Sequence, residues 1–381
     1  MADDQSRSGG SGGGNGGGSG GGGRRNGGGG GGGGGKGGGN RRGGRAGGSR
    51  GQGGGQGRGR SHGGGRGAPQ GGSDAKRRRF PSIQITVACD DRDLAQQTSR
   101  HRVVELASSA AGPLTERVLG EIVDRTPDGF RIDLRAHRLL TQQPAPMETV
   151  WPDVRDKLPP ALRAKPTVFP GELSPTVLDA VLDRFVAQIK PVYEFDKLGC
   201  VIFQFPSYFT PGPASLDYLV WLREKCGDLP LAVELRRRDW VDTKHREETL
   251  AFLETHRLGY VCVDAPQGTD TSVPPIAAAT TDLAVVRFHG RNLEAWERGV
   301  DDPTARMRYE YRRGDLEPWV PRLERLADGG KRTVHAIVAT APTEAAARNA
   351  SLLVKVLTED PDARPAPEPP PRTGPPKRRR F

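Results

Sequence analysis

Several polar side chains of this chain stand at the ends of short apolar runs. They are Gln204, Glu234, Arg236, Asp264, Arg287 and His289. A histidine beside a carboxylate is suited to general acid–base chemistry, because the carboxylate orients the imidazole. Arginine guanidiniums bind phosphate and carboxylate groups through paired hydrogen bonds. These residue types favour an anion-binding site, with an enzyme acting on a phosphorylated or other anionic substrate as the alternative.

In the enzyme interpretation, a hydrolase or isomerase, His289 is the general acid or base and Glu234 or Asp264 orients it. The candidate ligand-binding residues are Glu105, Arg135, Gln204, Arg236, Trp240, Arg287 and Arg291. No cofactor is firmly predicted, but a divalent metal is an open hypothesis. Its ligands would be Glu105, Glu234, Asp264 and His289, a mixed carboxylate–imidazole set. The simplest alternative is that the charges only neutralise one another.

Eight strand-like segments position these residues. They read IQITVACDD, RVVELASS, FRIDLRAH, CVIFQFP, LAVELRRRDW, YVCVDAP, LAVVRFHG and TVHAIVAT. Strands that alternate with helices eight times predict an α/β fold, a single-domain TIM-type (β/α)8 barrel. Such barrels carry their working residues at the C-terminal ends of the strands.

Alternation along a strand predicts which side chains point into the barrel. The inward or rim set contains Arg131, Asp133, Arg135, His137, Glu234, Arg236, Arg287 and His289. Asp264, which follows Tyr260 and Cys262, is counted with them. Buried charges need partners, so charges of both signs near one opening predict a polar pocket.

Apolar periodicity predicts helices over residues 114–125, 174–189, 214–225, 246–256, 316–327 and 343–357. The proline-rich segment 142–169 has no clear period. It is a long excursion after the third strand, either a functional loop or a plain insertion.

Composition divides the chain into a tail of residues 1–80, a barrel of residues 81–363 and a second tail of residues 364–381. The first tail holds about forty of the 55 glycines and almost no large apolar side chain, so it cannot bury a core. Its net charge is +12, that of the second tail is +5, and that of the barrel is −6. The basic character therefore belongs to the tails.

Arginine–glycine segments bind nucleic acid through phosphate charge and guanidinium stacking. The candidate residues are Arg42, Arg45, Arg50, Arg58, Arg60, Arg66, Lys76, Arg77, Arg78, Arg79, Lys377, Arg378, Arg379 and Arg380. The pentapeptide Lys-Arg-Arg-Arg-Phe occurs at 76–80 and again at 377–381. Solubilising tails are the alternative. Near the barrel opening, Tyr208, Trp240 and Trp296 are candidates for stacking on bases.

The four cysteines form no metal-binding pattern and are expected to be buried free thiols. No apolar run is long enough to span a membrane and no secretory signal is present, so we expect a cytoplasmic protein. No Gly-rich nucleotide-binding motif follows a strand.

Six segments carry a family resemblance. They are RTPDGFRIDLRAHRLLT (125–141), LGCVIFQFPSYF (198–209), LAVELRRRDWV (231–241), VVRFHGRN (285–292), RYEYRRGDLEPW (308–319) and AARNA (346–350). They resemble the YecE-like family, also called the domain of unknown function 72 family. The resemblance implies a TIM-type barrel and supplies no reaction. The chain departs from the family pattern at residues 89–91, 107–111 and 339–340, as a divergent member would.

Overall fold

The computed structural model describes residues 81–269, 272–297 and 304–359. Both predicted tails, with all their candidate nucleic-acid-binding residues, lie outside the described residues. None of the described helices is both long enough and apolar enough to cross a membrane.

The strands in chain order are β1 Ile83–Cys89, β2 Val103–Leu106, β3 Arg131–Arg135, β4 Ala145–Pro146, β5 Thr167–Val168, β6 Leu198–Gln204, β7 Leu231–Glu234, β8 Leu258–Asp264, β9 Leu283–Phe288 and β10 Thr333–Val338. Eight of them are parallel and close into a barrel in the order β1-β10-β9-β8-β7-β6-β3-β2. Strands β4 and β5 form a separate antiparallel pair. The predicted TIM-type barrel is confirmed, and each of the eight predicted segments supplies one barrel strand.

Helices cover the outside of the barrel. They are α1 Leu94–Thr98, α2 Glu116–Arg125, α3 Pro152–Arg155, α4 Pro160–Arg163, α5 Pro175–Glu194, α6 Pro213–Cys226, α7 Arg246–Thr255, α8 Leu293–Glu297, α9 Arg313–Leu316, α10 Val320–Ala327 and α11 Thr343–Thr358. The longest, α5, begins after Ser174, whose hydroxyl accepts a hydrogen bond from the Val177 N–H. Val177, Val181 and Ile189 are buried on one face of α5, as the periodicity predicted.

The excursion 142–169 is built from the β4–β5 pair and the two short helices α3 and α4, each of which begins with proline. His137, at the end of β3, turns toward this excursion. Its Nε2 lies 3.2 Å from the Thr149 carbonyl oxygen, and its ring lies 5.2 Å from the Trp151 ring. The excursion therefore covers one side of the barrel opening and encloses His137.

Candidate functional site

Strand register determines which polar side chains share the barrel interior. Gln204 pairs with Glu234, and Glu105 pairs with Asp133. Partners in a parallel pair point to the same face of the sheet, so these four side chains all point inward. Arg287 of β9 joins them by its direct contacts. We call the group formed by Glu105, Arg135, Gln204, Glu234, Arg287 and His289 the barrel mouth.

Arg287 is the centre of the barrel mouth. Its Nε and Nη2 donate to the two oxygens of Glu105, over 2.8 Å and 2.7 Å. Its Nη1 donates to Glu234 Oε2 and, over 2.9 Å, to Gln204 Oε1. The side chains of Arg287, Glu105 and Glu234 are almost fully buried. Desolvation is therefore offset by a fully paired guanidinium, which is the arrangement a buried charge requires.

Glu234 also holds His289. The Nε2 of His289 lies 2.9 Å from Glu234 Oε1, and Arg236 Nη1 donates to the same oxygen over 3.2 Å. Burial tends to raise the pKa of Glu234, but the charge of Arg287 and the His289 contact hold it well below its usual value. Glu234 is therefore an ionised acceptor at neutral pH.

Burial lowers the pKa of His289 to about 4, and this effect exceeds the opposing effect of Glu234. The imidazole is therefore neutral at pH 7. Since ionised Glu234 accepts a hydrogen bond from Nε2, the ring proton is on Nε2 and the lone pair is on Nδ1. Among the described residues, Nδ1 has no hydrogen-bond partner. This pair has the form of a general base with its orienting carboxylate.

The backbone after His289 has a specific shape. Gly290 has φ +83°, a left-handed conformation that glycine adopts without strain, and a Cβ there would lie 2.5 Å from the Tyr309 Cβ. The Gly290 N–H donates to the Tyr311 hydroxyl over 2.9 Å. The turn therefore needs glycine and fixes the direction of His289.

Arg135 differs from Arg287, because it has no carboxylate partner. Its Nη2 donates to Gln204 Oε1 over 2.8 Å, while its buried Nε has no partner. Burial, together with the charge of Arg287, lowers its pKa to about 10. Ser109 holds the Arg135 backbone, accepting from its N–H over 2.7 Å. Within the described part of the chain, this cation has no direct ion-pair partner, although the charges of Glu105 and Glu234 favour it.

Arg236 connects the barrel mouth to a neighbouring cleft. Its guanidinium carbon lies 4.4 Å from the centre of the Trp296 ring, and the guanidinium carbon of Arg306 lies 5.9 Å from that centre. The sequence offered no signal for Arg306, which lies in a short 3-10 helix, Ala305–Met307, before α9.

Asp264 does not reach the barrel mouth. Val263 pairs with Arg287 and points inward, so Asp264 points to the helix layer. Its carboxylate accepts hydrogen bonds from Arg291 over 2.9 Å and 2.6 Å, from Tyr311 over 2.8 Å and from Trp319 over 2.6 Å. Asp264 contacts His289 only through its backbone carbonyl, which accepts a hydrogen bond from the His289 backbone N–H. This corrects the predicted roles of Asp264 in orienting His289 or in catalysis, and it places Arg291 on Asp264 rather than in the barrel mouth.

Trp240 is also placed differently from the prediction. Its side chain is 1% exposed, its ring stacks on Phe209 and its Nε1 donates to the Phe209 carbonyl over 2.7 Å. An indole in this position is part of the hydrophobic core and has no surface for a ligand or a base. Tyr208 is 61% exposed, and its hydroxyl donates to the Gln142 carbonyl.

A second polar layer lies deeper in the barrel. His335 Nδ1 lies 2.8 Å from Asp133 Oδ2, and the Cys200 thiol donates to Asp133 Oδ1 over 3.4 Å. A Cβ at Gly199 would lie 2.3 Å from Asp133 Oδ1, so only glycine fits there. His335 is not among the predicted site residues, although a lone histidine within an apolar strand was the available signal. All four cysteines are free and buried, as predicted.

Of the four hypothesised metal ligands, only Glu234 and His289 contact one another. Both oxygens of Glu105 face Arg287, and Asp264 lies on the other face of the sheet. Within residues 81–269, 272–297 and 304–359, no group of three or more His, Cys, Asp and Glu side chains is placed to hold a metal ion. The four residues named in the divalent-metal hypothesis therefore do not form one metal site.

Comparison with known proteins gives a family match. The family described as "Protein of unknown function DUF72" matches residues 86–373. The UPF0759 protein YunF of Bacillus subtilis (strain 168) is 33% identical over 249 residues, which are 64% of this chain and 79% of that protein.

Solved structures show the same architecture. A DUF72 family protein from Enterococcus faecalis V583 superposes with a TM-score of 0.59 at 22% identity, covering 73% of this chain and 98% of that chain. A DUF72 family protein from Thermotoga maritima MSB8 gives a TM-score of 0.55 at 23% identity, covering 73% and 99%. At this identity the likeness concerns the fold alone.

Proposed function

This chain belongs to the DUF72 family, as its YecE-like segments predicted, and from that premise we propose that its barrel mouth binds an anionic ligand and its tails bind nucleic acid. Arg135 carries the first part of the proposal. It is a cation beside Arg287, hydrogen-bonded to a neutral amide and with a buried Nε that lacks an acceptor. An anion at this position would supply the missing acceptor and relieve the repulsion between the guanidiniums.

Replacing Arg135 tests the anion site. In Arg135→Gln we expect the affinity for inorganic phosphate to fall about tenfold or more, since a hydrogen bond to a charged group contributes about 1.5–3 kcal/mol. The measurement is calorimetric titration with phosphate at constant ionic strength. The unliganded variant should lose no more than about 1 kcal/mol of stability, because no carboxylate is left unpaired.

The matched control is Arg348→Gln. Arg348 is an exposed arginine whose ion pair with Glu310 lies outside the barrel mouth, so phosphate affinity should not change. Equal phosphate affinity in Arg135→Gln and in the parent protein would refute the anion site.

The alternative is an enzyme, a hydrolase or isomerase for an anionic substrate. The Glu234–His289 pair supports it, because neutral His289 keeps a lone pair on Nδ1 within the same barrel mouth. Turnover requires His289, whereas binding alone does not. Hydrolysis of a phosphomonoester that persisted undiminished in His289→Gln would exclude this role.

The tails carry the second part of the proposal. Their net charges of +12 and +5, against −6 for the barrel, supply phosphate affinity that the barrel surface lacks. The basic residues of the tails would contact successive phosphates of a nucleic acid strand.

Trimming the chain to residues 81–363 tests the tails, and all described strands and helices lie within this range. We expect full-length protein to bind labelled single-stranded RNA and duplex DNA with an affinity that falls steeply with salt. Trimmed protein should bind about tenfold more weakly or not at all. Fluorescence anisotropy at two salt concentrations gives both results, and unchanged binding by the trimmed protein would assign nucleic-acid binding to the barrel instead.

A further inference from the structure

The N-terminal face of the barrel lies opposite the barrel mouth, and all eight parallel barrel strands begin there. Strand β1 lies between β10 and β2 in the closed sheet. The connections that lead into these three strands are therefore neighbours on this face. They comprise residues 81–82, 99–102 and 328–332.

Hydrogen bonds hold these connections against β1. The Ser82 carbonyl accepts a hydrogen bond from the Val334 N–H over 2.8 Å. The Nδ1 atom of His101 lies 3.2 Å from the Ile85 carbonyl oxygen. Neighbouring strands are about 4.8 Å apart, so β10 and β2 are separated by about 10 Å across the sheet. The three connections therefore form one continuous surface.

This surface is basic. It carries the exposed side chains of Arg100, Arg102 and Lys331 and the partly buried side chain of Arg332, against the single acid Asp328. Arg332 lies 3.9 Å from Asp328. Among the described residues, Arg100, Arg102 and Lys331 have no carboxylate partner. We call Arg100, Arg102, Lys331 and Arg332 the basic patch.

The rest of the N-terminal face has the opposite character. Its ion pairs join Asp196 to Arg131 at 2.7 Å and Asp228 to Arg257 at 3.8 Å. Two further exposed acids stand before β3 and β9, and they are Asp128 and Asp282. The unpaired positive charge is therefore concentrated on the side of the face that surrounds the start of β1.

The tail of residues 1–80 joins the barrel at this same surface. Residues 76–80 read Lys-Arg-Arg-Arg-Phe, and the last of them is bonded to Pro81. Because a residue spans at most about 3.6 Å, all five stay within about 18 Å of Pro81. Covalent connection therefore keeps four basic residues of the tail within reach of the basic patch.

From these observations we propose that the basic patch and residues 76–79 together bind the phosphate backbone of one nucleic acid strand, which lies on the N-terminal face of the barrel. This inference rests on the proposed binding of nucleic acid by the tails and adds the barrel surface that takes part. A strand held by the tail is at high local concentration for the basic patch, so the two sets of contacts reinforce one another. Because the barrel has a net charge of −6, the basic patch acts only together with the tail.

Charge removal in the full-length protein tests the proposal. In the triple variant Arg100→Gln, Arg102→Gln, Lys331→Gln we expect the affinity for labelled single-stranded RNA to fall about tenfold or more at low salt. The dependence of log affinity on log salt concentration should become shallower by about 2, since each lost phosphate contact removes about 0.7 for a single strand. Fluorescence anisotropy over a series of salt concentrations measures both effects.

A matched control removes the same charge from the other end of the barrel. The triple variant Arg155→Gln, Lys157→Gln, Arg163→Gln changes the excursion that covers one side of the barrel opening. Its RNA affinity should stay within about twofold of that of the parent protein, since the net charge alone does not hold the strand. Both triple variants should unfold at the urea concentration of the parent protein, because all six side chains are at least partly exposed.

The barrel mouth provides a second comparison. It lies on the opposite face, so Arg135→Gln should leave RNA affinity unchanged. A loss in Arg135→Gln as large as that in the basic-patch triple would place the strand at the barrel mouth and overturn the inference.

The remaining outcomes separate this inference from the proposed function. If the full-length parent binds RNA and the basic-patch triple binds it as tightly as the control triple, the tails act without the barrel and the inference is wrong. If the full-length parent binds neither RNA nor duplex DNA, the proposed nucleic-acid binding itself fails.

Discussion

Replacing Arg287 with methionine is expected to destabilise the barrel by about 3–5 kcal/mol, the cost of removing one partner from a buried ion pair. Arg287 donates to Glu105 through two nitrogens and to Glu234 through a third. Both carboxylates are almost fully buried. Without the guanidinium they repel one another in a region that water reaches poorly. Urea denaturation at pH 7 measures the loss.

A compensating variant distinguishes lost charge pairing from lost packing. Adding Glu105→Gln and Glu234→Gln to Arg287→Met removes the unpaired charges, so most of the lost stability should return. Arg348→Met, which breaks an exposed ion pair with Glu310, should cost no more than about 1 kcal/mol. A loss in Arg287→Met as small as that of this control would contradict the central role of Arg287.

The barrel was predictable because its strands are separate apolar runs of regular spacing. Alternation within β3 correctly directed Asp133 and Arg135 inward, because the helix-facing residues Ile132 and Leu134 are apolar. The same reasoning brought Glu234, Arg287 and His289 together. For these strands, side-chain polarity alone separates the inner face of the sheet from the outer face.

Alternation failed for β8, where all seven residues are buried. When both faces of a strand are buried, apolar residues occupy both parities and the pattern no longer tells inside from outside. Only the pairing of Val263 with Arg287 shows that Asp264 points to the helices. Its partners Tyr311 and Trp319 come from a later part of the chain, so their hydrogen bonds could not be predicted from local sequence.

Trp240 and Arg306 show a second limit of the sequence. Trp240 stands in a run of charged residues, yet its ring packs on Phe209, which is 31 positions away in the chain. Arg306 lies outside any periodic element, and only the folded chain brings it to Trp296. Contacts between residues that are far apart in the chain decide whether a polar or aromatic side chain is buried in the core or lies at the site.

Acidification from pH 6.5 to pH 4 is expected to destabilise the protein through two buried histidines. Burial lowers the pKa of both His137 and His289 to about 4, against an ordinary value of 6.5. The charge of Arg138 also lowers the value for His137, and that of Arg287 lowers the value for His289. The unfolded chain therefore binds more protons than the folded chain between these pH values, and stability falls as pH falls.

The size of this effect follows from the shift. By pH 4, each histidine should lower the free energy of unfolding by roughly 3 kcal/mol. Each unit of difference between the folded and unfolded pKa corresponds to about 1.4 kcal/mol. Urea denaturation at pH 7, 6 and 5 measures the slope of the unfolding free energy. His289→Gln retains a donor for Glu234 but cannot take up a proton. Below pH 6.5, the slope of the unfolding free energy against pH should therefore correspond to nearly one proton fewer taken up on unfolding.

A control for this experiment is His256→Gln. His256 is a half-buried histidine that caps α7 and packs on Phe252, away from the barrel mouth. Comparing the two variants separates the effect of the barrel-mouth histidine from that of replacing a histidine elsewhere. If His289→Gln left the slope unchanged, His289 would titrate alike in the folded and unfolded chains, which would contradict a pKa lowered by burial.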